Sequence, residues 1–294
     1  MKEETYMGEK DISEKILINY NDVFADIINV CAFDGKEMVK PEDLENASVH
    51  AQYKEDKGIL HEEERDVVKY WKNKSARIVI YGMENQTEED KDMPFRIIGY
   101  DGASYRAQLL EQDKNIVPVV SFVLYFGTDK RWKTPRNIKK LMKIPEGLDE
   151  FVNDYIIHVI EVAWITDEQL KMFKSDFGIV ADFFVQRRKN KNYIPNDQRE
   201  FQHVDAVLKL LTVMTGDRRY EKISHGTSGS KKGGIKTMCE VADRLNKMGT
   251  EDERRRIIRA KMEKGQTLDQ IADALELSLD EVKEIVKTIQ VKKE

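Results

Sequence analysis

Between Arg77 and Gln86 the chain reads Arg77-Ile78-Val79-Ile80-Tyr81-Gly82-Met83-Glu84-Asn85-Gln86, rich in β-branched and aromatic residues, and this composition predicts a strand. Side chains two apart share a face in a strand, so Ile78, Ile80, Gly82, Glu84 and Gln86 point one way and Val79, Tyr81 and Met83 the other. Glu84 and Gln86 are therefore neighbours. The preceding segment, Glu64-Arg65-Asp66-Val67-Val68-Lys69-Tyr70-Trp71, alternates likewise and puts Asp66, Val68 and Tyr70 on one face. Asn73 and Lys74 give a polar connection, so the spacing predicts a hairpin. Centred near Lys74, it sets Asp66 opposite Met83 and Glu84 and gathers two carboxylates and an amide at one end of a sheet.

The surrounding pattern alternates strands and helices. Asp11 to Phe33 has helical spacing, with Ile16, Tyr20, Phe24, Ile27, Ile28 and Cys31 in one apolar stripe that Asp34-Gly35 ends. Val49, Ala51 and Tyr53 alternate as a weak strand. After the paired strands, Asp92 can cap a helix that begins at Met93-Pro94 and reaches about Leu110. Val117 to Gly127 is apolar almost throughout, as in a strand covered on both faces. Tyr155 to Trp164 returns to strand character, Thr166-Asp167-Glu168-Gln169 is a helix start before Leu170 to Arg188, and Asp197 to Gly216 is a further helix. The order implies an α/β fold with a sheet of mixed direction.

Ser224 to Gly234, Ser-His-Gly-Thr-Ser-Gly-Ser-Lys-Lys-Gly-Gly, has linker composition. We expect a main domain over residues 1–223, a linker over 224–234 and a helical tail over 235–294. In the tail, Thr267, Ile271-Ala272, Leu275, Leu277-Ser278, Val282 and Ile285 follow a pattern similar to a helix-turn-helix unit with its turn near Glu276 to Ser278. A DNA-reading second helix would lie in the major groove, but this one opens with Leu279-Asp280-Glu281, whose acids repel phosphates. A packing module, able to form a homo-oligomer, is the better reading.

Charge excludes several classes. With 35% charged residues and a net charge of -5, the chain has no global basic surface, although local patches remain available for DNA. The two cysteines, Cys31 and Cys239, lie far apart and define no disulfide framework. Met1 to Lys10 is charged and unlike a secretory leader, and the longest uncharged run, Asn115 to Thr128, is too short for a membrane helix. The expectation is a cytoplasmic protein with no membrane partner.

Two carboxylates on adjacent strand ends suit a hard divalent cation, which polarises phosphate and activates water, so the implied chemistry is phosphodiester hydrolysis. By spacing alone, an Asp and a Glu on strand ends are more often solvated surface. The order of elements, however, resembles the PD-(D/E)XK nuclease superfamily, with a strand carrying Asp followed by one carrying Glu-x-Lys and then a helix. Glu84-Asn85-Gln86 followed by Met93-Pro94-Phe95-Arg96-Ile97-Ile98-Gly99-Tyr100 more closely resembles the Rpn family recombination-promoting nuclease/putative transposase, in which Glu-x-Gln replaces Glu-x-Lys. The resemblance runs from about Tyr20 to Asn192.

It implies a restriction-endonuclease-like mixed sheet flanked by helices, with the helical C-terminal extension added. It further implies a Mg²⁺- or Mn²⁺-dependent DNA endonuclease of low sequence specificity, linked to recombination. The alternative is a catalytically weak or inactive nuclease fold that binds DNA or assembles with it, related to transposases. On this reading Asp66 and Glu84 hold the metal and Gln86 positions water, an amide being able to orient water but not to supply positive charge. The relatives place a first-helix acid three residues before the helix's Phe, where this chain has Asn21; Asp22, immediately after it, takes that role as a metal ligand on this reading, with Asp26 one turn further on. Arg96 and Tyr100, one turn apart, approach a phosphate or else form an ordinary ion pair. The basic run from Lys130 and Arg131 to Lys143, around Trp132, tracks a DNA backbone or is a solvated loop. Arg187 to Lys191 reads as a soluble helix end. The five histidines have no metal-ligand spacing, though His61 lies just before Asp66.

Overall fold

The computed structural model describes residues 16–47, 53–54, 60–61, 67–83, 90–110, 116–227 and 234–290, with side chains undescribed at 53–54, 60–61, 78–83, 225–227 and 290. The strands are β1 (Leu44–Asn46), β2 (Tyr53–Lys54), β3 (Leu60–His61), β4 (Val67–Trp71), β5 (Ala76–Met83), β6 (Val119–Tyr125) and β7 (His158–Glu161). Five of them form one mixed sheet in the order β1-β4-β5-β6-β7, while β2 and β3 pair separately. β1, β4 and β5 run antiparallel to one another in turn, and β5, β6 and β7 run parallel. The expected hairpin is present and centred between Asn73 and Lys74, but Val67 pairs with Ile80 rather than with Gly82 or Met83, as a placement of Asp66 opposite Met83 and Glu84 requires. A 3₁₀ turn at Lys72–Lys74, closed by Ser75 with φ 45°, makes the connection and fixes that register.

Helix α1 (Asn21–Phe33) is shorter than its apolar stripe because the chain breaks at Asn19 and Tyr20, where Tyr20 adopts extended backbone. Its Val23, Phe24, Ile27 and Ile28 are buried on one sheet face together with α4 (Phe177–Lys189) and α5 (Val204–Thr215). Each such buried side chain contributes about 1.5–3 kcal/mol. Asn29, also buried, replaces lost water by donating to the Val39 carbonyl at 2.8 Å and accepting from the Met38 and Val39 amides. α2 (Met93–Leu110) covers the opposite face, where Met93 and Ile97 pack on Val123 and Tyr125.

The Thr166–Gln169 helix start is a capping box, but α3 (Asp167–Leu170) stops after one turn and α4 begins only at Phe177. The helix expected from Asp197 begins at Val204. β7 is likewise short, because Val162–Trp164 turns into a 3₁₀ helix. Further on, α6 (Arg219–Thr227) covers the first four residues of the segment expected to be a linker, and residues 228–233 lie outside those described.

α7 (Met238–Glu263) then bridges two cores. Its Met238 and Val241 join the main core, whereas Ile258 joins a separate cluster with α8 (Leu268–Leu275) and α9 (Leu279–Gln290). Glu276 makes the turn between α8 and α9 in left-handed backbone, φ 52°. The fold is therefore a mixed α/β sheet flanked by helices, with a helical C-terminal region.

Candidate functional site

Parallel strands bring their C-terminal ends to one edge of a sheet. Here β5, β6 and β7 end there in register, Met83 beside Tyr125 and Tyr125 beside Glu161. β4 runs the other way, so its first residue, Val67, stands near the same edge. α2 also starts there, since Met93 packs with Tyr125, and its far end is tied to the opposite edge by Gln108, which exchanges two hydrogen bonds with Val117. Asp66, Glu84 and Gln86 themselves lie outside the described residues, as does the side chain of His61. Of their described chain neighbours, Met83 is at this edge and Val67 stands opposite Ile80, three residues in from it.

Arg96 and Tyr100 lie on α2 near this edge and are brought together. Arg96 Nη1 donates to Asp90 at 2.7 Å, and Nε and Nη2 reach the Tyr100 hydroxyl at 3.4 and 3.3 Å. Burial opposes the charge, but the Tyr100 and Asp90 oxygens outweigh it and hold the guanidinium above its usual pKa. Arg96 is thus a permanently charged, oriented group with a carboxylate partner.

The first-helix acids have other partners. Asp22 receives His203 Nε2 at 3.0 and 3.2 Å on its two oxygens, and the His203 ring stacks on Tyr20 with centroids 3.6 Å apart. Asp26 accepts the Lys174 and Ser175 amides at 2.9 and 2.7 Å. Among the described residues no group of three or more His, Cys, Asp or Glu could hold a metal ion.

The Lys130 to Lys143 run is a structured loop rather than a free basic arm. Trp132 is buried edge-on against Tyr125, whose hydroxyl donates to the Lys130 carbonyl at 3.0 Å. Glu161, at the end of β7, accepts the Trp132 amide at 2.9 Å and pairs with Arg131 and Arg136, each at 3.3 Å. Lys130 itself is exposed. Sequence reasoning does not single out Glu161 or Trp164, and it reads Arg188 only as part of the Arg187 to Lys191 helix end. Arg188 donates to the Ala163 carbonyl at 2.8 Å and stacks over Trp164 at 4.2 Å, with Arg131 over the same ring at 5.2 Å. The only advance signal was an acid at the C-terminal end of a parallel strand.

Among the described residues no helix is long and apolar enough to cross a membrane. No curated protein and no solved structure matches the chain closely enough to be counted a relative. The model of the family described as "Putative transposase, YhgA-like" matches residues 57–207, just over half of the chain and inclusive of β4 to β7. With this match, and with the mixed sheet that the Met-Pro-Phe-Arg resemblance implied, the chain belongs to the YhgA-like transposase family, of the PD-(D/E)XK and Rpn type.

Proposed function

We propose that the protein is a metal-dependent DNA endonuclease that hydrolyses phosphodiester bonds with little sequence selectivity, in the cytoplasm and in the service of recombination. The observation that carries this reading is the shared sheet edge: β4 begins at Val67 directly after Asp66, and β5 ends at Met83 directly before Glu84. Family membership supports it. Asp66 and Glu84 are hard oxygen donors of the type Mg²⁺ or Mn²⁺ takes, and such an ion, when bound, lowers the pKa of water and stabilises charge on phosphate. Gln86 would orient the attacking water by hydrogen bonding, and Arg96 would face the phosphate charge from the start of α2.

We leave Asp22 out of the metal set because its carboxylate already pairs with His203 Nε2 and so ties α1 to the entry of α5. The test is nicking of supercoiled plasmid by wild type, Asp66→Ala and Glu84→Ala, prepared side by side, with Mg²⁺, Mn²⁺ or chelator. The reading expects metal-dependent nicking by wild type alone. Equal nicking by all three would place the activity elsewhere, and no nicking with any metal would leave a DNA-binding scaffold.

A further inference from the structure

Three segments that are remote in sequence meet beside the sheet edge. Residues 129–136, 161–167 and 187–191 carry eight Lys and Arg against three Asp and Glu, a local excess of five positive charges in a chain whose net charge is -5. They are tied together by specific contacts. Arg131 and Arg136 hold Glu161, Arg131 and Arg188 lie over Trp164, Lys189 pairs with Asp167 at 3.1 Å, and Lys191 pairs with Asp129 at 3.4 Å. Helix ends often carry cations merely for solubility and dipole. Here the C-terminal cations of α4 are drawn against the loops that follow β6 and β7.

The groups are graded for binding an extended anion. Arg188 is oriented by the Ala163 carbonyl and the Trp164 ring, so little freedom remains to be lost when its planar donor fork meets a phosphate. Lys189 and Lys191 are exposed, each with one ion pair among the described residues, and such surface pairs are weak and readily exchanged for phosphate contacts. Position matters too. Glu161 is two strands from Met83 across the edge, about 10 Å at ordinary strand spacing, so the cluster adjoins the point where β5 ends. A rigid polyanion laid on the cluster would pass beside that point.

We propose that this rim, through Arg188, Lys189 and Lys191 together with the 130–136 loop, binds the sugar-phosphate backbone of double-stranded DNA. The proposal rests on the nuclease reading above for its choice of ligand. A duplex fits because its charges are closely and regularly spaced, which a cluster of mixed rigid and mobile cations can match without reading sequence.

The test is binding of a short fluorescent duplex by the full chain in chelator, so that cleavage does not contribute, followed over a salt series. Each phosphate contact adds about 0.9 to the slope of log affinity against log salt. Lys189→Ala/Lys191→Ala should therefore weaken binding and lower the slope by nearly two such increments, equally for unrelated sequences. Arg188→Ala should weaken it further, with melting temperature recorded to detect misfolding, while Lys283→Ala/Lys287→Ala on α9 should leave it unchanged. An unchanged slope in Lys189→Ala/Lys191→Ala, or the loss appearing in the α9 variant, overturns the rim while leaving any plasmid nicking intact. Binding with the expected slopes but no nicking by wild type overturns the nuclease reading and keeps the rim. Wild type that ignores DNA yet binds vesicles of anionic phospholipid overturns the choice of ligand.

Discussion

Asp22 and His203, 181 residues apart, are joined by contacts of 3.0 and 3.2 Å from His203 Nε2 to both carboxylate oxygens, tying the first turn of α1 to the entry of α5. The Asp22 carboxylate is one-third exposed and His203 less so, and the histidine is also stacked on Tyr20. An acid so engaged has a structural task. We propose that this tie, rather than metal ligation, is the task of Asp22.

The first prediction separates these roles. Asp22→Asn should keep any Mg²⁺-dependent rise in melting temperature, whereas Asp66→Ala and Glu84→Ala should lose it. Without metal, Asp22→Ala should cost about 1 kcal/mol, a drop of about 2–4 °C in a domain of this size. Thermal melts with and without Mg²⁺ decide it. Loss of the metal response in Asp22→Asn would return that residue to the metal set.

Lys69, in β4, supports a second prediction. It is almost wholly buried, and its ammonium donates to the Asn19 carbonyl at 2.7 Å, to Asn19 Oδ1 at 3.1 Å and to Asn46 Oδ1, all neutral acceptors. Burial pushes its pKa down from 10.5 to about 8. Because the folded-state value is the lower one, the unfolded chain binds more protons between the two values, and stability rises with pH across that window. Below about pH 8 both states are charged and the full cost of burying the cation applies. Urea unfolding at about pH 7.5 and 9.5 should show wild type gaining stability relative to Lys69→Met. Parallel pH dependence in the two proteins would refute it.

What the sequence made legible was local. The Thr166 capping box, α2 beginning at Met93, the buried β6 and the turn at Glu276 all follow from residues within a few positions of one another. The misplaced boundaries have distant causes. The helix expected to run on from Leu170 breaks because the Lys174 and Ser175 amides donate to Asp26, and Asp176 accepts the amides of Gln202 and His203. No periodicity in the 170s reveals partners on α1 or before α5. The rim was hidden for the same reason, since Arg188 differs from an ordinary helix-end arginine only through Trp164 and Ala163. The Asp66 and Glu84 pair follows from alternation alone, and both residues lie outside the described ones.

Gly127 gives a third prediction. A Cβ there would fall 2.1 Å from the Tyr125 hydroxyl oxygen and 2.2 Å from its ring carbon. That ring cannot simply swing aside, since it packs edge-on to Trp132 at 5.5 Å and donates to the Lys130 carbonyl. Gly127→Ala should cost about 1–3 kcal/mol as an overpacking change. It should also alter Trp132 emission and loosen the loop that presents Arg131. A variant with wild-type melting temperature and fluorescence would show that the loop relaxes freely.

The fourth prediction concerns the tail, which we propose begins as an independent packing unit within α7 rather than at residue 235. Ile258, Ile271 and Val282 are fully buried in a cluster that contains no residue before Ile258, whereas Met238 and Val241 belong to the main core. Ile271→Ala removes most of a buried side chain and should cost about 2–5 kcal/mol locally. So small a cluster has little stability to spare, so α8 and α9 should open without unfolding the sheet. Hydrogen exchange should then show amides of 268–290 losing protection in Ile271→Ala while β6 and α4 keep theirs. Loss of protection in β6 as well would mean that α7 couples the two cores into one cooperative unit. The same outcome would make the tail part of the main domain, and its helix-turn-helix pattern a feature of packing alone.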